Sequence, residues 1–132
     1  MSARRVDGAI DAGLIGLALG RLALGALSRV APKRAAEQFG VGDATGAEFD
    51  YMARIFGIRA IALGSGYLLS EGSARRLWQR LALMCDVSDT VAGVGELRGR
   101  ELPRRSAAAV TAMTGTYAAI GAARLLRDVT RG

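Results

Sequence analysis

The chain has 132 residues, 51% of them hydrophobic and 23% charged, with 18 Lys plus Arg against 12 Asp plus Glu for a net charge of +6. One domain is the expectation at this length, and an apolar fraction this high excludes a disordered basic tail. The absence of histidine and the single cysteine exclude Ser-His-Asp and Cys-His catalysis, an intrachain disulfide framework and a cysteine zinc site.

Four apolar segments follow in order, at residues 9–31, 48–69, 77–97 and 104–126. Each is close to the roughly 20 residues a membrane-spanning helix needs. They are rich in Ala, Leu and Gly and do not alternate, so they read as helices and not strands. The first runs from Leu14 to Leu27 with only Arg21 interrupting it, and Pro32 is its stop. A joint from Lys33 to Ala47 leads to the second, which opens on Phe49 and Tyr51 and carries Arg54 and Arg59. A shorter joint, Ser70 to Arg76, leads to the third, which holds Arg80, Asp86, Asp89 and Glu96. After the joint Arg98 to Pro103, the fourth segment has no charge between Ala107 and Ala123.

An all-α, four-helix transmembrane bundle with short loops is the expected fold, filling one domain over residues 1–132. A soluble helical bundle is the alternative. A soluble helix shows a polar outer face, and from Ala107 to Ala123 the fourth segment interrupts its apolar residues only with Thr111, Thr114, Gly115, Thr116 and Gly121 around the single Tyr117. A signal peptide fits less well, because Arg21 breaks the apolar run and no small-x-small cleavage site precedes Pro32. Trp78 and Tyr67 sit at segment ends, where aromatic rings favour the lipid–water boundary or simply pack helix ends.

Orientation is close to a tie. With the N-terminus inside, the cytoplasmic side carries Arg4, Arg5, Arg75, Arg76, Arg80, Arg124, Arg127 and Arg131; the other side carries Arg29, Lys33, Arg34, Arg98, Arg100, Arg104 and Arg105. The positive-inside rule does not separate these sets. The short basic termini favour N-in, within a bacterial inner membrane that the chain crosses several times.

The charges at membrane depth are the most informative feature. Arg21 and Arg59 lie near the midpoints of their segments, and Asp86 and Asp89 straddle the midpoint of the third. Consecutive helices on short joints run antiparallel, so all four reach one plane. Each charge alone costs about 2.5–3.5 kcal/mol at a helix centre, and four would cost on the order of 10–14 kcal/mol. Paired inside a bundle they neutralise one another, and the guanidinium fork suits a carboxylate. Asp86, Asp89, Gly93 and Glu96 share one helical face, and Arg54 is placed toward Glu96. Asp11 is expected near Arg75, Arg76 or Arg80.

Three readings of the network Arg21, Arg54, Arg59, Asp86, Asp89 and Glu96 stay open. It is a salt-bridge lattice that fixes helix register, a polar cavity for the head of a lipid or quinone, or a proton or ion path. The glycines Gly16, Gly20, Gly25, Gly57, Gly64 and Gly93 are candidates for close helix packing, within the chain or between chains. The GxxxG of Gly16 and Gly20 and the heptad spacing of Gly57 and Gly64 carry that expectation.

No residue set specifies a reaction. Cys85 is a lone thiol beside an anion, a poor nucleophile, and Ser88 and Thr90 have no base except the aspartates. No catalytic residue, metal or cofactor is expected. The arginines are scattered without interleaved aromatics, so nucleic acid is not the expected partner. The lipid bilayer is, with a larger membrane protein or a second copy as further candidates.

Leu19-Gly-Arg-Leu-Ala-Leu-Gly25, Ala31-Pro32, Arg54 with Gly57-Ile-Arg59 and Leu63-Gly64, the Asp86/Asp89 pair and Leu102-Pro-Arg104 occur in an order that resembles a family of small four-helix membrane proteins of high-GC bacteria, a domain of unknown function. The resemblance implies a membrane location and four helices, and no activity. The family often has an acid after the second-helix arginine, where this chain has Ala60, which throws the pairing of Arg59 onto Asp86 and Asp89. The leading expectation is a non-enzymatic small subunit or scaffold of a membrane assembly. A binder or small transporter of a lipid, quinone or proton is the alternative.

Overall fold

The computed structural model describes residues 2–40, 46–99 and 102–132. Among them the chain is all helix: α1 Ala3–Val30, α2 Pro32–Gln38, α3 Ala47–Leu69, α4 Gly72–Gly99 and α5 Arg104–Arg131. The middle of the first joint, and Arg100 and Glu101 in the third, lie outside the described residues.

Two expectations need correction. The helices reach beyond the apolar segments, because their polar ends also find partners: α1 begins at Ala3 and α5 continues to Arg131. The first joint holds a helix of its own. Pro32 does stop α1, since Ala31 leaves helical geometry at φ −137°, but Pro32 is also the first residue of α2. A first-turn proline lacks only an N–H that has no helical partner anyway. Pro32, Ala35 and Ala36 are buried, and the chain leaves α2 at Gly40 with φ +73°, a left-handed conformation that suits glycine.

The four long helices form a ring with every neighbouring pair antiparallel. α1 lies on α3 through Gly25 and Gly57, and through Ala18 and Gly64. α3 meets α4 where Gly66 receives the Trp78 indole, and α4 meets α5 where Gln79 and Leu83 reach Gly121 and Thr90 reaches Thr114. α5 closes on α1 through Ile120 and Tyr117 against Gly13 and Gly20. α1 and α4 therefore face each other across the bundle.

Glycine sets the closest contact. A β-carbon on Gly25 would lie 2.7 Å from the Gly57 carbonyl oxygen, and one on Gly57 would lie 2.6 Å from that of Gly25. One on Gly64 would lie 2.7 Å from the Ala18 carbonyl. Backbones approach this closely only where side chains are absent. Gly16 departs from the expectation: nothing lies within 4 Å of its added β-carbon. It is nine residues from Gly25, which at 3.6 residues per turn places it about 180° away, on the outer face.

The turn between α3 and α4 is tied by Arg75. Its Nε donates to the carbonyls of Tyr67 at 3.1 Å and Ser70 at 2.8 Å, and its guanidinium stacks 4.9 Å from the Tyr67 ring centre. A cation here satisfies carbonyls that the helix end leaves without partners. Leu14, Ala18 and Tyr67 form the core at this end, flanked by Leu17, Trp78 and Ile120.

α1 and α3 are long and apolar enough to cross a membrane. α5 is charge-free through its centre but built of Ala, Thr and Gly, and α4 carries charges, so neither reaches the same hydropathy. The ends of α4 expose Arg76, Arg80 and Arg98, while its middle is arranged differently. Gln79 and Asp86 point inward at 4% and 3% exposure, while Met84 and Val91 point outward at 64% and 68%.

Candidate functional site: a charged axis and a lateral groove

Helix α1 carries Arg21 on the face that looks across the bundle, and α4 presents Asp86 to it. The Arg21 Nη2 donates to Asp86 Oδ2 at 2.5 Å, with both side chains largely buried. The guanidinium lies 4.9 Å from the centre of the Tyr117 ring on α5, a cation–π contact. One turn further along α4, Asp89 accepts from Arg59 of α3 at 2.7 Å. That pair is more open, at 41% exposure for the arginine and 30% for the aspartate. Thr90 donates to the Asp86 carbonyl at 2.6 Å, and its hydroxyl lies 3.0 Å from that of Thr114 on α5. The structure thus brings Arg21, Arg59, Asp86 and Asp89 together as two ion pairs one helical turn apart.

The other expected members of the network lie elsewhere. Arg54 is exposed on α3 and forms no ion pair with Glu96 among the described residues. Glu96 has a buried Oε2 with no hydrogen-bond partner among them. Asp11 lines one cavity with Arg75 and Arg76, as expected, but its ion pair is with Arg124 at 2.6 Å, because α5 is the neighbour of α1 in the ring. Ala60, where the resembling family often has an acid, is packed against Gly25 and has no room for a carboxylate.

A second cluster joins the first turns of α1 to the last turns of α5. Asp7 accepts from Arg127 and, at 2.6 Å, from Arg131, and Arg124 also holds Asp128 at 3.0 Å. Asp7 lies before the apolar stretch that starts at Ala9. The Arg127 hydrogen bond, then that of Arg131, lowers its pKa from 3.8 to about 2, and Asp7 in turn raises the pKa of Arg127. The signal for this cluster was in the sequence: acids four residues apart at one end, Asp7 and Asp11, and arginines at the other, facing each other once α1 and α5 run antiparallel.

Beyond the Arg59–Asp89 pair, the bundle opens into a lateral groove of about 500 Å³. Its walls are mainly apolar, from Leu24 and Phe56 through Met52, Phe49 and Phe39 to Leu102 and Val110. Its charged residues are Arg59 and Asp89 at one end and Glu96 two turns away on α4, and Ser28, Ser106 and Thr114 add hydroxyls. Phe56 lies under the Arg59 guanidinium, 5.3 Å from ring centre to carbon. Such a space matches an apolar body with one polar head. Among the described residues no group of three or more metal-ligating side chains gathers. The groove itself had no sequence signature, because it depends on α2 folding beneath it and on how far α3 stands from α5.

No family model, no curated protein and no solved structure matches this chain.

Proposed function

We propose that the protein is an integral membrane bundle, spanning a bacterial inner membrane several times, that binds an amphipathic molecule in its lateral groove without carrying out a reaction on it. The membrane part of this reading is supported by the middle of α4, where Asp86 is inside and Met84, Val87 and Val91 are outside, the exposed arginines Arg76, Arg80 and Arg98 lying toward its ends. Water-soluble helices place these groups the other way round. The two most apolar helices support it too, because α1 and α3 leave Ile15, Leu19, Ile55 and Ile58 exposed on their outer faces. Retention in the membrane pellet after carbonate washing is expected, and release into the supernatant overturns the location.

The single observation that carries the binding reading is the groove of about 500 Å³, apolar-walled, with the Arg59–Asp89 pair at its inner end. It suits one acyl or prenyl chain with a head group that exchanges hydrogen bonds with the ion pair. The test is photolabelling of the detergent-purified chain with a diazirine-bearing fatty acid. Labelled peptides should come from the walls of the groove, and Ala53→Trp, which fills it, should reduce labelling about fivefold through lost contact volume. Leu77→Trp on the outer face should leave it unchanged. Equal labelling in all three proteins overturns the reading.

A small-subunit or scaffold role is favoured by one specific feature. Gly16 faces outward beside the exposed Ile15 and Leu19. In lipid, an outward glycine on an apolar face lets another helix approach closely. Gly16→Leu should then abolish an oligomer or co-purifying partner that survives mild detergent.

A further inference from the structure

Four cavities lie end to end along the bundle axis. At the Arg75 end is one of about 410 Å³, which shares Leu14, Tyr67 and Gln79 with a small cavity of about 20 Å³ beside Arg21 and Asp86. That cavity shares Arg21, Asp86 and Tyr117 with another of about 30 Å³, which shares Arg59, Asp89 and Thr114 with the lateral groove. Each small cavity therefore has room for at least one water.

Polar atoms line this sequence of spaces at every step. Of the four buried side-chain oxygens without a hydrogen-bond partner among the described residues, three belong to residues that line it: Asp128 Oδ2, Gln79 Oε1 and Glu96 Oε2. Gln79 is 4% exposed, and its amide nitrogen is already committed to the Gly121 carbonyl at 2.9 Å. Buried acceptors in this state call for a donor such as water. All three are acceptors, and they stand at the two ends and one side of the Arg21–Asp86 pair.

We propose that the bundle axis is a proton pathway, with the Arg21–Asp86 ion pair as its gate. The groups facing Asp86 are Arg21 from α1, Arg59 and Tyr67 from α3, Asp89 on its own helix and Tyr117 from α5. A proton carried by water on the Gln79 side passes to an Asp86 carboxylate oxygen, leaving neutral water behind. The neutral acid releases Arg21, which keeps its charge and its place over the Tyr117 ring. Asp86 then gives the proton to water on the Asp89 side, about 4–5 Å along the helix, and the ion pair re-forms. The pair blocks other cations because Arg21 stays positive in the narrowest part. This proposal rests on the membrane location but not on ligand binding in the groove.

The test uses the full chain in phosphatidylcholine and phosphatidylglycerol vesicles loaded with a pH-sensitive dye. Flotation confirms equal insertion of each variant, and valinomycin with a potassium gradient drives protons inward. The wild type should acidify the lumen about tenfold faster than empty vesicles, as a relay through an intramembrane carboxylate requires. Asp86→Asn should return the rate to that of empty vesicles. Gln79→Leu removes no charge and keeps the test decisive where loss of Asp86 impairs folding; it should slow the flux about fivefold by drying the small cavity. A wild-type rate equal to that of empty vesicles overturns the proposal. So does a wild-type rate in inserted Gln79→Leu, or leakage of the dye itself.

Discussion

Arg21 and Asp86 join α1 to α4, two helices that are not neighbours in the ring, through a 2.5 Å hydrogen bond across the bundle. Neighbouring helices are tied by their own bonds, such as Arg59–Asp89 and Arg124–Asp11, and this cross-link adds a tie between the levels of α1 and α4. Asp86→Ala should destabilise the protein in detergent by about 3–5 kcal/mol, because it leaves a buried guanidinium unpaired. The double variant Arg21→Met with Asp86→Leu should recover most of that loss. Denaturant titration followed by helix content checks both, and a double variant as weak as the single one contradicts the pairing.

Asp89→Asn should behave differently. Its partner Arg59 is 41% exposed and Asp89 is 30% exposed, beside an open groove. Pairs this open contribute about 0–1 kcal/mol. A thermal unfolding shift comparable with that of Asp86→Ala would show the two pairs to be equivalent, which their burial argues against.

Gly57→Ala should separate α1 from α3. The added methyl would meet the Gly25 carbonyl oxygen at 2.6 Å, and backbone atoms cannot swing aside as side-chain ends do. Overpacking of this kind costs about 1–3 kcal/mol. Gly16→Ala, on the same helix as Gly25 but with nothing within 4 Å, should instead stabilise the isolated chain by about 0.5–1 kcal/mol through helix propensity.

The Asp7 cluster predicts a pH response at the bundle end. Its carboxyl titrates at about 2 in the folded chain, against an ordinary aspartate value of 3.8. The folded state thus prefers the ionised form, so the contribution of Asp7 is complete above about 4 and disappears as pH falls through 2. Melting temperatures of the wild type and Asp7→Asn, measured from pH 5 to pH 2, should differ at the upper end and converge at the lower. A constant difference would place the effect of Asp7 outside its ionisation.

Counting depth along each apolar segment brings Arg21, Arg59, Asp86 and Asp89 to one level, and the structure pairs them. Which arginine takes which aspartate was not in the sequence. It follows from the ring order, which depends on joint geometry and on the side to which each helix turns. Ala3 to Asp7 and Arg127 to Arg131 fall outside the apolar segments because apolar periodicity is the readable signal, and these turns are held instead by ion pairs between distant ends of the chain. Helix α2 escaped for a related reason. Its seven residues are too few to show a period, and Pro32 marks a helix start as readily as a stop.

On the membrane location proposed above, the acids of α4 also constrain how the molecule is made. A segment with Asp86, Asp89 and Glu96 on its inner side is not stable alone in hydrocarbon, since each acid would face lipid. It needs Arg21 and Arg59 already at depth when it arrives. Those two cations belong to α1 and α3, which emerge from the ribosome earlier and are the two described helices long and apolar enough to cross a membrane. Chain order thus supplies the receptor before the guest. A circular permutation that placed α4 first would keep every contact of the folded state and would still deprive that helix of its partners during insertion.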